Sequence, residues 1–263
     1  MDLDLAGKTV IITGGGSNIG RAISHGFIKE KANVVIAELD ETQGQKVAKE
    51  LSKHGSEVLF VKTDVTDYEQ VEKMVKKATE RFGKVDILVN NVGWIVDQFF
   101  MEEKRDKWEK VVAINFWSML NCTRAVMGQM VEQKSGVIVN IGSDAGRMGE
   151  FREVVYSGCK GGVIAFTKAL AREVGKSGIR LNVVCPGVTV PENEDEVGKD
   201  SLWSGNMMKV FTPEVQAKAA KAHVLRKLGK SNDIANAVLF MASKCAGHIT
   251  GQTLSVSGGY TMM

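Results

Sequence analysis

KTVIITGGGSNIGRAISHGFIK, residues 8–29, runs from an apolar β-branched stretch through a glycine-rich turn into an amphipathic helical pattern. Glycines between a strand and a helix let backbone N–H groups approach a pyrophosphate, and the helix N-terminus adds partial positive charge. A glycine turn alone is weak, but a strand before it and a helix after it are the context this mechanism requires. The candidate contacts in the turn are Gly14, Ser17, Asn18, Ile19 and Gly20. Glu38 closes the second apolar run, NVVIAE (33–38), where a carboxylate can accept hydrogen bonds from an adenosine ribose diol. The same charge repels a 2′-phosphate, and residues 14–17 hold no Lys or Arg, so NAD is favoured over NADP. Asp64 and Val65 follow the third run, with Asp64 placed to bond an adenine amino group. Asn90, Asn91 and Gly93 lie at the end of the fourth.

The same alternation continues outward. Strand candidates are 8–13, 33–38, 57–62, 85–90, 136–141, 179–184 and 252–256; helical patterns occupy 18–30, 41–54, 67–82, 104–131, 153–175 and 231–243. Nearly continuous apolar strands fit a parallel sheet covered on both faces. This predicts an α/β fold: one doubly wound, Rossmann-type domain over residues 1–263, with a parallel sheet of about seven strands. A long irregular stretch, 187–212, reads as a functional loop, with a substrate lid at about 188–212.

Tyr156 and Lys160, in YSGCK, stand one helical turn apart and project from one face. A fixed cation beside a phenol favours the phenolate, as a general base near neutrality requires. Ser143 follows the strand GVIVNIG, which would carry its hydroxyl to the substrate oxygen that Tyr156 reaches. Asn115 precedes them at a usable distance.

TGGGSNIG, NNVG (90–93), Asn115, Ser143, YSGCK (156–160), Pro186–Gly187 and the tail ITGQTLSVSGGY (249–260) together resemble the short-chain dehydrogenase/reductase family over essentially the whole chain. The resemblance implies an NAD-dependent oxidoreductase with Tyr156 as acid/base. Lys160 would lower the Tyr156 pKa and hold the nicotinamide ribose, Ser143 would orient the carbonyl or carbinol, and Asn115 would join a water-linked relay through Lys160. Pro186, Gly187 and Thr189 would line the cofactor site. Within the family, SDAGRMG, YSGCKGG and SVSGGYTM are most similar to dehydrogenases of alicyclic or aryl 3-hydroxyacyl-CoA esters. That implies a CoA thioester substrate and a homo- or hetero-tetramer with a homologous subunit.

Two positions depart from the family pattern. Residue 18 is Asn where the pattern has Gly, and residue 191 is Pro, leaving Thr189 as the hydroxyl after Pro186–Gly187. Glu192, Glu194, Asp195 and Glu196 follow, and such a cluster is unfavourable beside an anionic cofactor unless it faces solvent. The alternative these raise is an inactive subunit of a hetero-oligomer that binds NAD poorly. In the loop, Trp203, Met207, Met208 and Phe211 are positioned by sequence to cover an acyl group, with Lys199 and Lys209 near CoA phosphates.

The bulk numbers narrow the partners. A net charge of +3 over 263 residues, with both signs interspersed, suggests neither nucleic-acid nor membrane binding. The start, MDLDLAGK, lacks the basic and apolar regions of a signal peptide, and no run approaches the ~20 apolar residues of a membrane span. Cys122, Cys159, Cys185 and Cys245 read as buried, reduced thiols of a cytoplasmic protein. His25, His54, His223 and His248 show no metal-ligand spacing, so no metal is expected. Apolar residues in 104–131 and 153–175, including Ile114, Phe116, Trp117, Val163, Ile164 and Phe166, suggest packing against a second subunit.

Overall fold

The computed structural model describes residues 2–263 apart from 202, 205 and 206, and apart from the side chains of 207 and 208. The strands in chain order are β1 (Thr9–Thr13), β2 (Asn33–Glu38), β3 (Val58–Lys62), β4 (Ile87–Asn90), β5 (Gly136–Ile141), β6 (Ile179–Pro186), β7 (Thr189–Val190), β8 (Gly229–Lys230) and β9 (Thr253–Val256). One seven-stranded sheet has the order β3-β2-β1-β4-β5-β6-β9, and β7 pairs with β8 apart from it. Every pairing in the main sheet is parallel. The order reverses between β1 and β4, which opens a crevice at the carboxyl ends of these strands.

The helices are α1 (Asn18–Lys29), α2 (Glu41–Leu51), α3 (Tyr68–Phe82), α4 (Arg105–Val112), α5 (Ser118–Gln133), α6 (Ala145–Met148), α7 (Val154–Val174), α8 (Met207–Val210), α9 (Pro213–Ala220) and α10 (Ser231–Ala242). Strand alternation sorts the core into two layers. Val10, Ile12, Val34 and Ile36 meet Ile23 and Phe27 of α1 and Val238 and Leu239 of α10. Ile11, Val35 and Ala37 face the other way, against Val71 and Met74 of α3, Val126 and Met130 of α5 and Val174 of α7. Burying each such side chain fully contributes roughly 1.5–3 kcal/mol, so both helix layers are held to the sheet by apolar area. Asp40 caps α2 by accepting from Thr42 N and Gln43 N, and Asp67 caps α3 by accepting from Gln70 N.

Three features differ from the sequence reading. The single pattern at 104–131 is interrupted by a π-helical segment, Ala113–Trp117, between α4 and α5. Its wider turn carries Asn115, whose amide bonds the chain beyond β4; apolar periodicity gives no sign of it. The stretch 187–212 is not wholly irregular: β7 pairs with β8, and Gly229 N donates to Val188 O at 2.9 Å. Cys245 is exposed, with its thiol against the Asp2 carbonyl at the surface, whereas the other three cysteines are buried and free. Among the described residues, no helix is long and apolar enough to cross a membrane.

Candidate active site

The crevice at the β1/β4 switch encloses about 720 Å³. It is walled by the glycine turn, the ends of β2, β4 and β5, the start of α7 and the loop after β6. Gly14 has φ +63°, a conformation that disfavours side chains. Gly20 is more constrained: a Cβ there would stand 2.0 Å from the Gly14 carbonyl oxygen. Asn91 Nδ2 donates to Thr13 O at 3.0 Å and to Gly14 O at 3.3 Å, tying β4 to the turn. Asn18 takes φ 44°, which Asn tolerates better than most side chains. Its amide is tied to the start of α10, where Ser231 Oγ donates to Asn18 Oδ1 at 2.6 Å, while the residue remains on the crevice wall.

Glu38 is buried where β2 ends. Its Oε2 accepts from Gly16 N at 3.1 Å and its Oε1 from Leu39 N at 2.9 Å. Burial raises its pKa, while the Asp40, Gly16 and Leu39 amides act against that rise. Asp64 Oδ1 accepts from Thr66 N and Thr66 Oγ1, which fixes the carboxylate beside Val65 on the crevice wall.

Ser143, Tyr156 and Lys160 share the same wall at its far end. Lys160 is 2% exposed; its Nζ donates to Ile141 O at 2.9 Å and lies 5.6 Å from the centroid of the Tyr156 ring. Burial pushes the Lys160 ammonium down to about 8. The expected lowering of the Tyr156 pKa is not found in this arrangement. Burial raises it, the Ser143 hydroxyl pulls the other way, and Glu153 adds to the rise. The cation sits over the ring instead of on the hydroxyl, so desolvation wins.

Asn115 lies off the crevice. Its Nδ2 donates to Trp94 O at 2.6 Å and to Val111 O at 2.9 Å, and its Oδ1 accepts from Trp94 N at 3.2 Å. It borders a small cavity shared with Asn90, Asn140 and Lys160, of about 10 Å³, close to the minimum for one water. Asn90 Nδ2 donates to Thr123 Oγ1 and Asn140 Oδ1, so Asn90 faces the interior and not the cofactor space. Of the catalytic and cofactor residues expected to build the site, Asn90, Asn115 and Gly20 are absent from the crevice wall. Pro186, Gly187 and Thr189 are on it, as are Gly93 and Ile19.

The acidic segment points away from the crevice. Glu192 pairs with Lys230, Asp195 with Lys46 at 3.7 Å, and Glu196 with Arg21 at 4.0 Å. Beyond it the chain clasps the nucleotide end: Gly198 N donates to Ser17 Oγ and Lys199 N to Asp40 Oδ2, each at 3.1 Å. Trp203 and Phe211 then line the crevice and meet edge to face at 5.4 Å. The side chains of Met207 and Met208, expected to join them, lie outside those described.

Several wall residues were not anticipated. Asp144 is 1% exposed; its Oδ2 accepts from Ser255 Oγ at 2.8 Å, joining the turn after β5 to β9. Asp97, Glu150, Glu153 and Tyr260 line the substrate end. Glu153 is the one the sequence signals, being a helical turn before Tyr156 on the same face. The others arrive through tertiary contacts with no local pattern.

The short chain dehydrogenase family model matches residues 8–202. The chain belongs to the short-chain dehydrogenase family. Membership brings NAD(P)-dependent oxidoreductase chemistry in general. Among curated short-chain dehydrogenases, the chain is 35% identical over 261 residues to a 3-oxoacyl-acyl-carrier-protein reductase of Chlamydia pneumoniae, covering 99% of this chain and 100% of that protein. It is 34% identical over 261 residues to the protein of the same name from Escherichia coli K12, with the same coverage. The protein of that name from Vibrio harveyi is 33% identical over 261 residues, again covering 99% and 100%. These short-chain dehydrogenases are named as reductases of acyl-carrier-protein esters, not as the 3-hydroxyacyl-CoA dehydrogenases of the finer resemblance.

Proposed function

We propose that this short-chain dehydrogenase interconverts a secondary alcohol and its ketone on a 3-hydroxyacyl or 3-oxoacyl thioester, using NAD. The observation that carries the reading is one crevice running from the Gly14 turn and Glu38 to the hydroxyls of Tyr156 and Ser143. In reduction, a bound nicotinamide would supply the hydride to the carbonyl carbon, and the Tyr156 hydroxyl gives its proton to the oxygen. Oxidation is the reverse. A phenol whose pKa is raised rests protonated, the form that reduction uses. Ser143 orients the oxygen, and Lys160, fixed by the Ile141 carbonyl, holds charge beside the ring and reaches the nicotinamide ribose. Asn115 acts at one remove, by holding the Trp94 backbone and bordering the cavity behind Lys160.

The thioester rests on the substrate named for the carrier-protein reductases and on the finer resemblance to CoA-ester enzymes, so either carrier fits. Trp203, Phe211 and Phe151 offer apolar surface for a cyclic or aromatic acyl group. Against the inactive-subunit alternative, Asn18 bonds Ser231 and the Glu192–Glu196 cluster is ion-paired outside. The test is turnover of 3-hydroxyacyl and 3-oxoacyl thioesters, followed by NADH absorbance; no turnover with either carrier would overturn the reading.

Cofactor choice rests on Glu38. Glu38→Ala is expected to narrow the preference for NAD over NADP by at least ~10-fold, because it removes the charge facing a 2′-phosphate. Ratios of kcat/KM for the two cofactors check this, and a wild type preferring NADP contradicts it. Assembly is proposed through the flank of α5 and α7: Trp117 is 57% exposed and Val154 50%, while Val163 is buried against the sheet. Light scattering at micromolar concentration is expected to give a multiple of the chain mass, and Trp117→Glu to reduce it.

A further inference from the structure

The substrate end of the crevice holds three carboxylates, Asp97, Glu150 and Glu153, against one guanidinium, Arg152. Two of the carboxylates are already engaged. Asp97 pairs with Arg152 at 2.7 Å. Glu150 accepts from the Tyr260 hydroxyl at 2.8 Å and from Phe151 N at 3.0 Å. Among the described residues, the Glu153 side chain has neither a hydrogen bond nor an ion pair, although it is half-buried. It stands just before α7, one turn from Tyr156 and on the wall they share. Burial, then the charges of Glu150 and Asp97, hold its carboxyl up at about 7. The groups around it are Glu150, Asp97, Tyr156, Tyr260 and Arg152. The only cation among them is consumed by Asp97, and its guanidinium lies over the Phe99 ring at 5.0 Å. An unpartnered carboxylate here gains from a substrate donor and is destabilised by a second anion.

We infer that Glu153 is a specificity-determining residue: it accepts a hydrogen bond from a neutral donor, a hydroxyl or amide N–H, on the group attached to the reacting carbon, and it excludes substrates with a carboxylate there. The inference rests on the proposed alcohol–ketone reaction for the placement of the reacting carbon beside Tyr156, but not on the thioester. The exclusion is electrostatic, so it weakens as Glu153 takes up a proton.

The test uses two matched pairs of secondary alcohols, one pair as thioesters and one without, whose members differ only in a terminal hydroxyl or carboxylate. At pH ~8.5, where Glu153 is ionised, wild type is expected to favour the hydroxyl member by at least ~10-fold in kcat/KM. Glu153→Gln, isosteric and able to bond either group, is expected to cut that preference at least ~5-fold, mainly through the KM of the carboxylate member. Lowering the pH to ~6 is expected to narrow the wild-type preference but leave that of the variant unchanged. Titration calorimetry with the corresponding ketones reads the same preference without turnover. Equal preferences in wild type and Glu153→Gln, by kinetics and by binding, would overturn the inference. A preference seen only in the thioester-free pair would uphold Glu153 and overturn the thioester reading instead.

Discussion

Tyr156→Phe is expected to lower turnover by at least ~10²-fold while leaving the fold and cofactor affinity in place. The phenyl ring keeps the packing of α7 and remains beneath the Lys160 ammonium, 5.6 Å from the ring centroid. Only the hydroxyl is lost, and with it the proton that must reach the substrate oxygen. Ser143 does not replace it. Its Oγ accepts from Ala145 N at 3.1 Å, which suits orienting an oxygen, and a serine hydroxyl is a far weaker acid than a phenol. Burial keeps Tyr156 protonated through the neutral range, so reduction is expected to hold a level rate across it, whereas oxidation, in which the phenol must act as a base, is expected to rise with pH. Steady-state kinetics in both directions, with unfolding curves of the two proteins, check this. A variant with unchanged turnover would move the acid/base role to another residue.

The parallel fold was legible because its signals are local. Continuous apolar strands, the strand–glycine–helix turn and the one-turn spacing of Tyr156 and Lys160 are each written in short windows, and a doubly wound order follows from regular alternation. That end of the crevice wall was legible for the same reason, since Gly14, Glu38, Asp64 and Asn91 each stand at or just past a strand end. What escaped depends on residues far apart in sequence. Asn18 pairs with Ser231 from the opposite end of the chain, a partner that the glycine turn by itself does not reveal. The acidic run 192–196 finds Arg21, Lys46 and Lys230 on three other segments. The direction of the Tyr156 shift also depends on burial, and burial is decided by what packs around α7 and not by the YSGCK spacing. Asn115 was named from its distance to Tyr156 and Lys160 and from the family resemblance; its π-turn and its hold on Trp94 needed the backbone path.

Lys160→Met is expected to abolish efficient turnover and weaken cofactor binding, yet leave the protein more stable at pH 7. The side chain is 2% exposed, and its ammonium is pushed from an ordinary 10.5 down to about 8 by burial. That difference corresponds to a folding penalty of about 3 kcal/mol while both states are charged. Methionine matches the unbranched stem without the charge. It leaves the Ile141 carbonyl without its donor and removes the cation from the Tyr156 ring, which together return about 2 kcal/mol. A net gain of about 1 kcal/mol remains. The pH dependence separates titration from packing. Below about 8 Lys160 is charged in both states and the penalty is constant. From about 8 to about 10.5 the unfolded chain binds the proton and the folded chain does not, so this contribution to wild-type stability rises with pH. Buried thiols and Tyr156 pull the other way at high pH in both proteins, so the difference between the two curves reads Lys160 together with its influence on the Cys159 and Cys185 thiols. Urea unfolding of wild type and Lys160→Met at pH ~7 and ~10 is expected to show the variant's advantage vanish or reverse at the higher pH. An advantage that stays constant with pH would mean that Lys160 is not titrating in this window. A variant that is less stable at both pH values, by a constant amount, would show that the bond to Ile141 and the ring contact outweigh the buried charge.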